Sequence, residues 1–258
     1  MSKYLIHGCE ERLWYIERYL VPSMLEQGID PHDISIYIDT EHDGNLFACI
    51  KSFNALPIKG DTWHLQDDII ISPDFRAVTE RYSKAMVCGM CMNIADEVVK
   101  PKGKVNIKYM WHSFQCTLIP NIMAHEFVQW FINTASKDPQ YRMWISKNKY
   151  DDSFFKVFME DYHPNYMALN LYPNIVDHVD FLLGGSLINA DFPGERRAKY
   201  FENTYLVDEL ARKLEPHMLT KKMKDMIDKI RKSQTNHANV DLHLSKKISK
   251  KNPPMNYN

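Results

Sequence analysis

Apolar and polar positions in the first third of the chain switch between a strand rhythm and a helix rhythm. Tyr4 to His7 is a short β-rich run ending at Gly8, and from Arg12 to Gln27 the residues Leu13, Ile16, Leu20, Met24 and Leu25 recur at helical spacing. Ile34 to Ile38 reads as a second strand closing on Asp39. Asn45 to Leu56 reads as a helix, and Thr62 to Leu65 as a third strand running into Gln66, Asp67 and Asp68. Strand-turn-helix units in succession predict an α/β fold whose functional loops lie at the carboxyl ends of parallel strands.

The same rhythm continues. Asp74 to Ser83 has an acidic start and helical composition, while Ala85 to Cys91 and Val105 to Met110 read as further strands. Pro120 is expected to open an amphipathic helix through Phe131, with Ile122, Met123, Phe127, Trp130 and Phe131 suited to a core-facing stripe. Asp151 and Asp152 begin another helix, Ser153 to Met159. Asn174 to Phe181 leads into the loop Leu183-Gly184-Gly185-Ser186, and Val207 to Lys232 reads as one or two helices. The expected organisation is one domain over residues 1–205 and a basic helical extension with a loose tail over residues 206–258.

Composition narrows the class. No apolar run approaches the roughly 18 residues that span a bilayer, and the opening MSKYLIHGCEERLW turns charged too early for a secretory signal, so a cytoplasmic protein with no membrane partner is expected. Five cysteines, an odd number scattered among apolar neighbours, argue against a disulfide framework. Cys88 and Cys91 form a C-x-x-C, but without a second pair or a histidine cluster they read as buried thiols. The net charge of -1 conceals an asymmetry: residues 213–258 hold eleven Lys and Arg against four Asp and Glu, a balance of +7 that leaves -8 for residues 1–212. Such a tail is either a solvated basic end or a contact for a polyanion.

The most informative segment is GDTWHLQDDIIISPDF, in which adjacent carboxylates follow an apolar strand and precede Ile69-Ile70-Ile71. Carboxylates there suit a turn cap, or they hold a hard divalent cation, whose oxygen-rich coordination leaves positions for phosphate oxygens. The layout resembles that of the GT-A glycosyltransferases. Members of that fold carry a short acidic signature after a β-strand, followed by an apolar stretch and an Asp-Phe that opens a helix, as Gln66-Asp67-Asp68, Ile69-Ile70-Ile71 and Asp74-Phe75 do here. Gln66 departs from the signature's first acid.

The resemblance spans about residues 3 to 190 and implies a GT-A-like (Rossmann-like) mixed, mainly parallel sheet flanked by helices. It implies that Asp68 binds Mn²⁺ or Mg²⁺ beside the diphosphate of a nucleoside-diphosphate sugar, and that Gln66 and Asp67 lie on the donor, Gln66 through a hydrogen bond to the donor or a metal-bound water in place of direct ligation. His7, Gly8 and Arg12 fall where such enzymes meet the nucleotide, and Asp39 is placed to accept from a base N–H or ribose hydroxyl, although it also suits a simple turn. His178 falls where a histidine completes the metal site, and Gly185 and Ser186 where a Gly-Gly-Ser loop meets phosphate. Asp152, with Asp151 beside it, is expected to be the base of an inverting transfer, with helix capping as the alternative. Trp111 to Pro120 resembles the acceptor side.

A virus-encoded enzyme acting on hydroxymethylated bases in DNA would give the basic C-terminal region a partner. Two other readings stay open. A sugar nucleotidyltransferase normally carries a glycine-rich N-terminal loop, and Gly8 stands alone. A catalytically silent protein of the same fold is compatible with Gln66.

Overall fold

A computed structural model describes residues 2–90, 103–106, 114–147, 150–185, 197–198 and 200–214. Strand β1 (Lys3–Cys9) lies between β2 (Ile34–Asp39) and β3 (Asp61–Gln66), parallel to both. Four further strands extend the sheet: β5 (Val87–Cys88), β6 (Gly103–Asn106), β7 (Cys116–Pro120) and β8 (Met167–Asn170). The order is β2-β1-β3-β7-β5-β8-β6, with β7 and β6 antiparallel to their neighbours and the other five strands running one way. The sheet is therefore mixed and mainly parallel. A separate two-stranded ladder pairs β4 (Ile69–Ile71) with β9 (Val176–His178).

Tyr4 through Gly8 are all buried, as expected of a central strand covered on both faces. Alternation sorts its side chains between two cores. Leu5 joins Leu46, Phe53, Phe127, Phe154, Phe155 and Phe158 under the helices Asn45–Asn54, Asn121–Trp130 and Asp151–Tyr162. Tyr4 and Ile6 join Tyr15, Ile16, Leu20, Trp63, Phe75 and Val176 on the opposite face. Val207 and Leu210 belong to that second core, so the helix Tyr205–Lys213 packs on the body; residues 215–258, including the basic tail, lie outside the described residues.

Several elements differ from the sequence expectation for local reasons. The first helical run is composite: Glu10–Arg12, Leu13–Tyr15, a π turn over Ile16–Leu20, then Val21–Glu26. Pro22 has no N–H to return to the preceding turn, and the wider π spacing accommodates its ring. Pro120 closes β7 opposite Asp61 and caps the helix from Asn121 rather than opening it. The segment after Asp74 forms only the short helix Phe75–Thr79. Among the described residues, no helix is long and apolar enough to cross a membrane.

Candidate functional site

Parallel registers bring three strand ends to one edge: Cys9 lies opposite Asp39, and His7 opposite Gln66. The acid pair follows Gln66 directly. Gly8 makes room for it, since a Cβ there would stand 2.8 Å from both Asp67 Cβ and Ile16 Cδ1. Asp67 is held from three directions: Cys9 N donates to Oδ2 at 2.9 Å, Cys9 Sγ lies 3.4 Å from the same oxygen, and Arg12 Nη1 donates to Oδ1 at 2.9 Å.

Arg12 is buried, and its Nη1 also donates to Asp68 Oδ2 while Nη2 donates to the Gly185 carbonyl at 3.0 Å. The residue expected beside the nucleotide is thus built into the protein as a counter-cation to the acid pair and a tie to the glycine loop. Gly184 (φ 100°) and Gly185 (φ 86°) both adopt the left-handed region that ends the 3-10 turn Asp180–Leu183. Ser186 lies outside the described residues, as do Cys91 and Trp111 to Ser113.

The β4–β9 ladder sets Ile69 opposite His178. As a result His178 Nε2 stands 3.1 Å from Asp68 Oδ2, and its Nδ1 stands 3.0 Å from Asp180 Oδ1. All three side chains are buried, and one ligand atom from each lies within 4.8 Å of the others. Burial pulls the His178 pKa down, but the carboxylates of Asp68 and Asp180 outweigh it and hold the imidazole up at about 9. Two carboxylates and an imidazole can serve as donors to a divalent cation such as Mn²⁺ once the imidazole has given up the proton that its raised pKa implies. Asp180 was not among the expected ligands. Its signal was available in His178-Val179-Asp180, but only the turn after β9 brings the second acid back to the ring.

At the adjoining edge Asn45 Nδ2 donates to Asp151 Oδ1 at 2.6 Å and Gln66 Nε2 donates to Asp151 Oδ2 at 3.2 Å. Gln66 therefore links the end of β3 to the start of a helix. Burial, reinforced by the Asp152 carboxylate, raises the Asp151 pKa to about 8. Asp152 is only half-buried; its Oδ1 accepts from Ser153 N at 2.6 Å and Ser153 Oγ at 3.2 Å.

No protein-family model matches this chain, and no curated protein matches it.

The remaining expected residues divide. Asp39 accepts from the amides of Asp43 at 3.3 Å and Gly44 at 3.2 Å, which closes the loop after β2. His7 is buried one rung from the acid pair, and burial, partly offset by Asp68, lowers its pKa to about 4. The structure thus gathers Asp68, His178, Asp67, Gly8, Arg12 and Gly185 into one contact network and joins Gln66 to Asp151. Asp39 contacts its own loop instead.

Proposed function

We propose that this chain is a metal-dependent glycosyltransferase that moves a sugar from a nucleoside-diphosphate sugar, a uridine one, to an acceptor hydroxyl. The observation that carries this reading is the convergence of Asp68, His178 and Asp180, from chain regions more than a hundred residues apart, at the carboxyl edge of a mainly parallel sheet. The order of elements around it supports the GT-A resemblance: the acid pair follows β3, β4 carries the apolar stretch, and Asp74 precedes the helix Phe75–Thr79.

Asp68, His178 and Asp180 would hold Mn²⁺ or Mg²⁺, which supplies neutralisation of the leaving diphosphate. Asp67 and Arg12 keep Asp68 in place. Gly184 and Gly185 let the backbone approach phosphate without side-chain obstruction. Asp152, the more accessible of the helix-start acids, takes the proton of an acceptor hydroxyl that bonds to the anomeric carbon from the face opposite the leaving nucleoside diphosphate, and this single displacement gives inversion. Asp151 retains its own proton in the buried position beside it and orients the helix start through Gln66 and Asn45. The +7 balance of residues 213–258 supports a polyanionic acceptor, DNA bearing hydroxymethylated bases.

The test is binding and slow hydrolysis of a panel of nucleoside-diphosphate sugars, with Mn²⁺ or with EDTA, on the wild type and on Asp68→Ala. Turnover of one donor that needs metal and Asp68 is the expected result. Failure of every donor to bind in the presence of metal overturns the reading. A donor that binds but is not turned over, even with hydroxymethylated DNA added, replaces it with that of a silent binding protein.

A further inference from the structure

A two-stranded ladder of three residues a side keeps its shape only with outside support, and the β4–β9 ladder delivers His178. Val179 N donates to the Asp68 carbonyl and Ser72 N to the Ile175 carbonyl, each at 2.8 Å. Bonded and non-bonded pairs alternate along an antiparallel ladder, so Ile69 and His178 form a non-bonded pair and the His178 N–H points off the outer edge of β9. The Asp177 side chain receives it there, with His178 N donating to Oδ1 at 2.8 Å.

Asp177 is fully buried, and a buried carboxylate needs both hydrogen bonds and a counter-charge. Residues 197 and 198 supply them. Ala198 N donates to Asp177 Oδ1 at 2.6 Å, and Arg197 Nε and Nη2 both stand 2.6 Å from Oδ2. With the Asp177 side chain 1% exposed and that of Arg197 29%, this is not one of the solvent-screened pairs that contribute little. The same guanidinium lies over the Phe181 ring, its Cζ 5.7 Å from the centroid and within cation–π reach. Arg197 thus grips the residue before His178 and the residue after Asp180. Upstream of the strand, Asn174 N donates to the Tyr200 carbonyl at 3.0 Å and Tyr200 N returns a bond to Asn174 Oδ1 at 3.1 Å, which holds the same stretch of chain against β9.

We propose that Arg197 is a positioning residue of the cation site: by anchoring Asp177 and covering Phe181 it sets the turn from which His178 and Asp180 reach Asp68. The inference rests on the reading of those three residues as cation ligands, and it extends the site to a residue that acts on them through their chain neighbours.

Mn²⁺ titration of the full chain, read from the free-ion signal in electron paramagnetic resonance, and ¹⁵N-histidine NMR of the metal-free chain test it together. Arg197→Met should weaken Mn²⁺ binding by about 10–100-fold, the scale for removing a group that supports a ligand from outside. It should also shift the His178 ring resonances while leaving in place those of His125, which bonds the Leu56 carbonyl from a helix across the sheet. Methionine strands the Asp177 charge and can unfold the chain, so a double variant, Asp177→Asn with Arg197→Met, removes charge and tether together; it should show the same weakening in a folded protein. A folded variant of either kind that binds Mn²⁺ as tightly as the wild type, or leaves the His178 resonances unmoved, overturns the proposal. A wild type that binds no Mn²⁺ overturns the cation site itself, and the role of Arg197 falls with it.

Discussion

Arg12 Nη1 stands 2.9 Å from Asp67 Oδ1 and donates as well to Asp68 Oδ2, so a single guanidinium nitrogen bridges two adjacent buried carboxylates. Removing it leaves their mutual repulsion uncompensated. Arg12→Met should cost about 3–5 kcal/mol of unfolding free energy, the usual scale for breaking a buried ion pair from one side. Urea denaturation measures it, and a loss under about 1 kcal/mol would show that Arg12 is not the counter-cation.

Gly8→Ala probes the close approach of β1 to the acid pair. The added methyl meets Asp67 Cβ and Ile16 Cδ1 at 2.8 Å, and overpacking of this kind costs about 1–3 kcal/mol. Thermal unfolding should move down accordingly. Wild-type stability would mean that β1 can shift away from Asp67 without loss.

Asp180→Asn separates a ligand from a mere neighbour. Whether Asp180 ligates the cation or orients the His178 ring through Nδ1, the amide should weaken Mn²⁺ binding by about 10–100-fold, read from the free-ion signal in electron paramagnetic resonance. Equal affinities would remove Asp180 from the ligand set while leaving Asp68 and His178 in it.

Asp151 gives the protein a pH signature. Its folded pKa of about 8 lies above the value near 4 of an unfolded Asp, so between those limits the folded chain binds the extra proton. This contribution to stability is fully present below pH 4 and is lost as pH rises through about 8. Asp151→Asn, isosteric with the protonated acid, should flatten the fall in stability between pH 5 and pH 8. A wild type and variant with parallel pH profiles would refute the assignment.

The two helix-start acids should also separate by rate. Asp152→Asn is expected to lower turnover by about 10²–10⁴-fold, the range for removing a general base, with donor binding kept. Asp151→Asn should cost less than about tenfold, since it preserves a neutral partner for Gln66 and Asn45. Reversed magnitudes, measured as kcat and KM side by side, would transfer the base role to Asp151.

What could be read from the sequence follows from how local each signal is. β1, β2 and β3 were legible because their apolar runs and terminal polar residues sit together in the chain. The π turn before Pro22 was not, because a proline leaves open whether a helix breaks, kinks or widens ahead of it, and the strand role of Pro120 was not, because it depends on the pairing opposite Asp61. His178 is legible only through a family resemblance and Asp180 not at all, because neither residue indicates that β9 pairs with β4. Arg12 was expected to face a nucleotide for a similar reason. Nothing between Gly8 and Leu13 reveals that the guanidinium turns inward to Asp67, Asp68 and the Gly185 carbonyl.

The β4–β9 ladder makes any cation at Asp68 and His178 a cross-link. It would close a loop of more than a hundred residues with bonds that the unfolded chain lacks, so the ion would act as a removable staple whose strength is set by its concentration. Chelation should then loosen Ile69–Ile71 from Val176–His178 before it disturbs the main sheet, giving this small ladder a stability of its own that the surrounding solution controls.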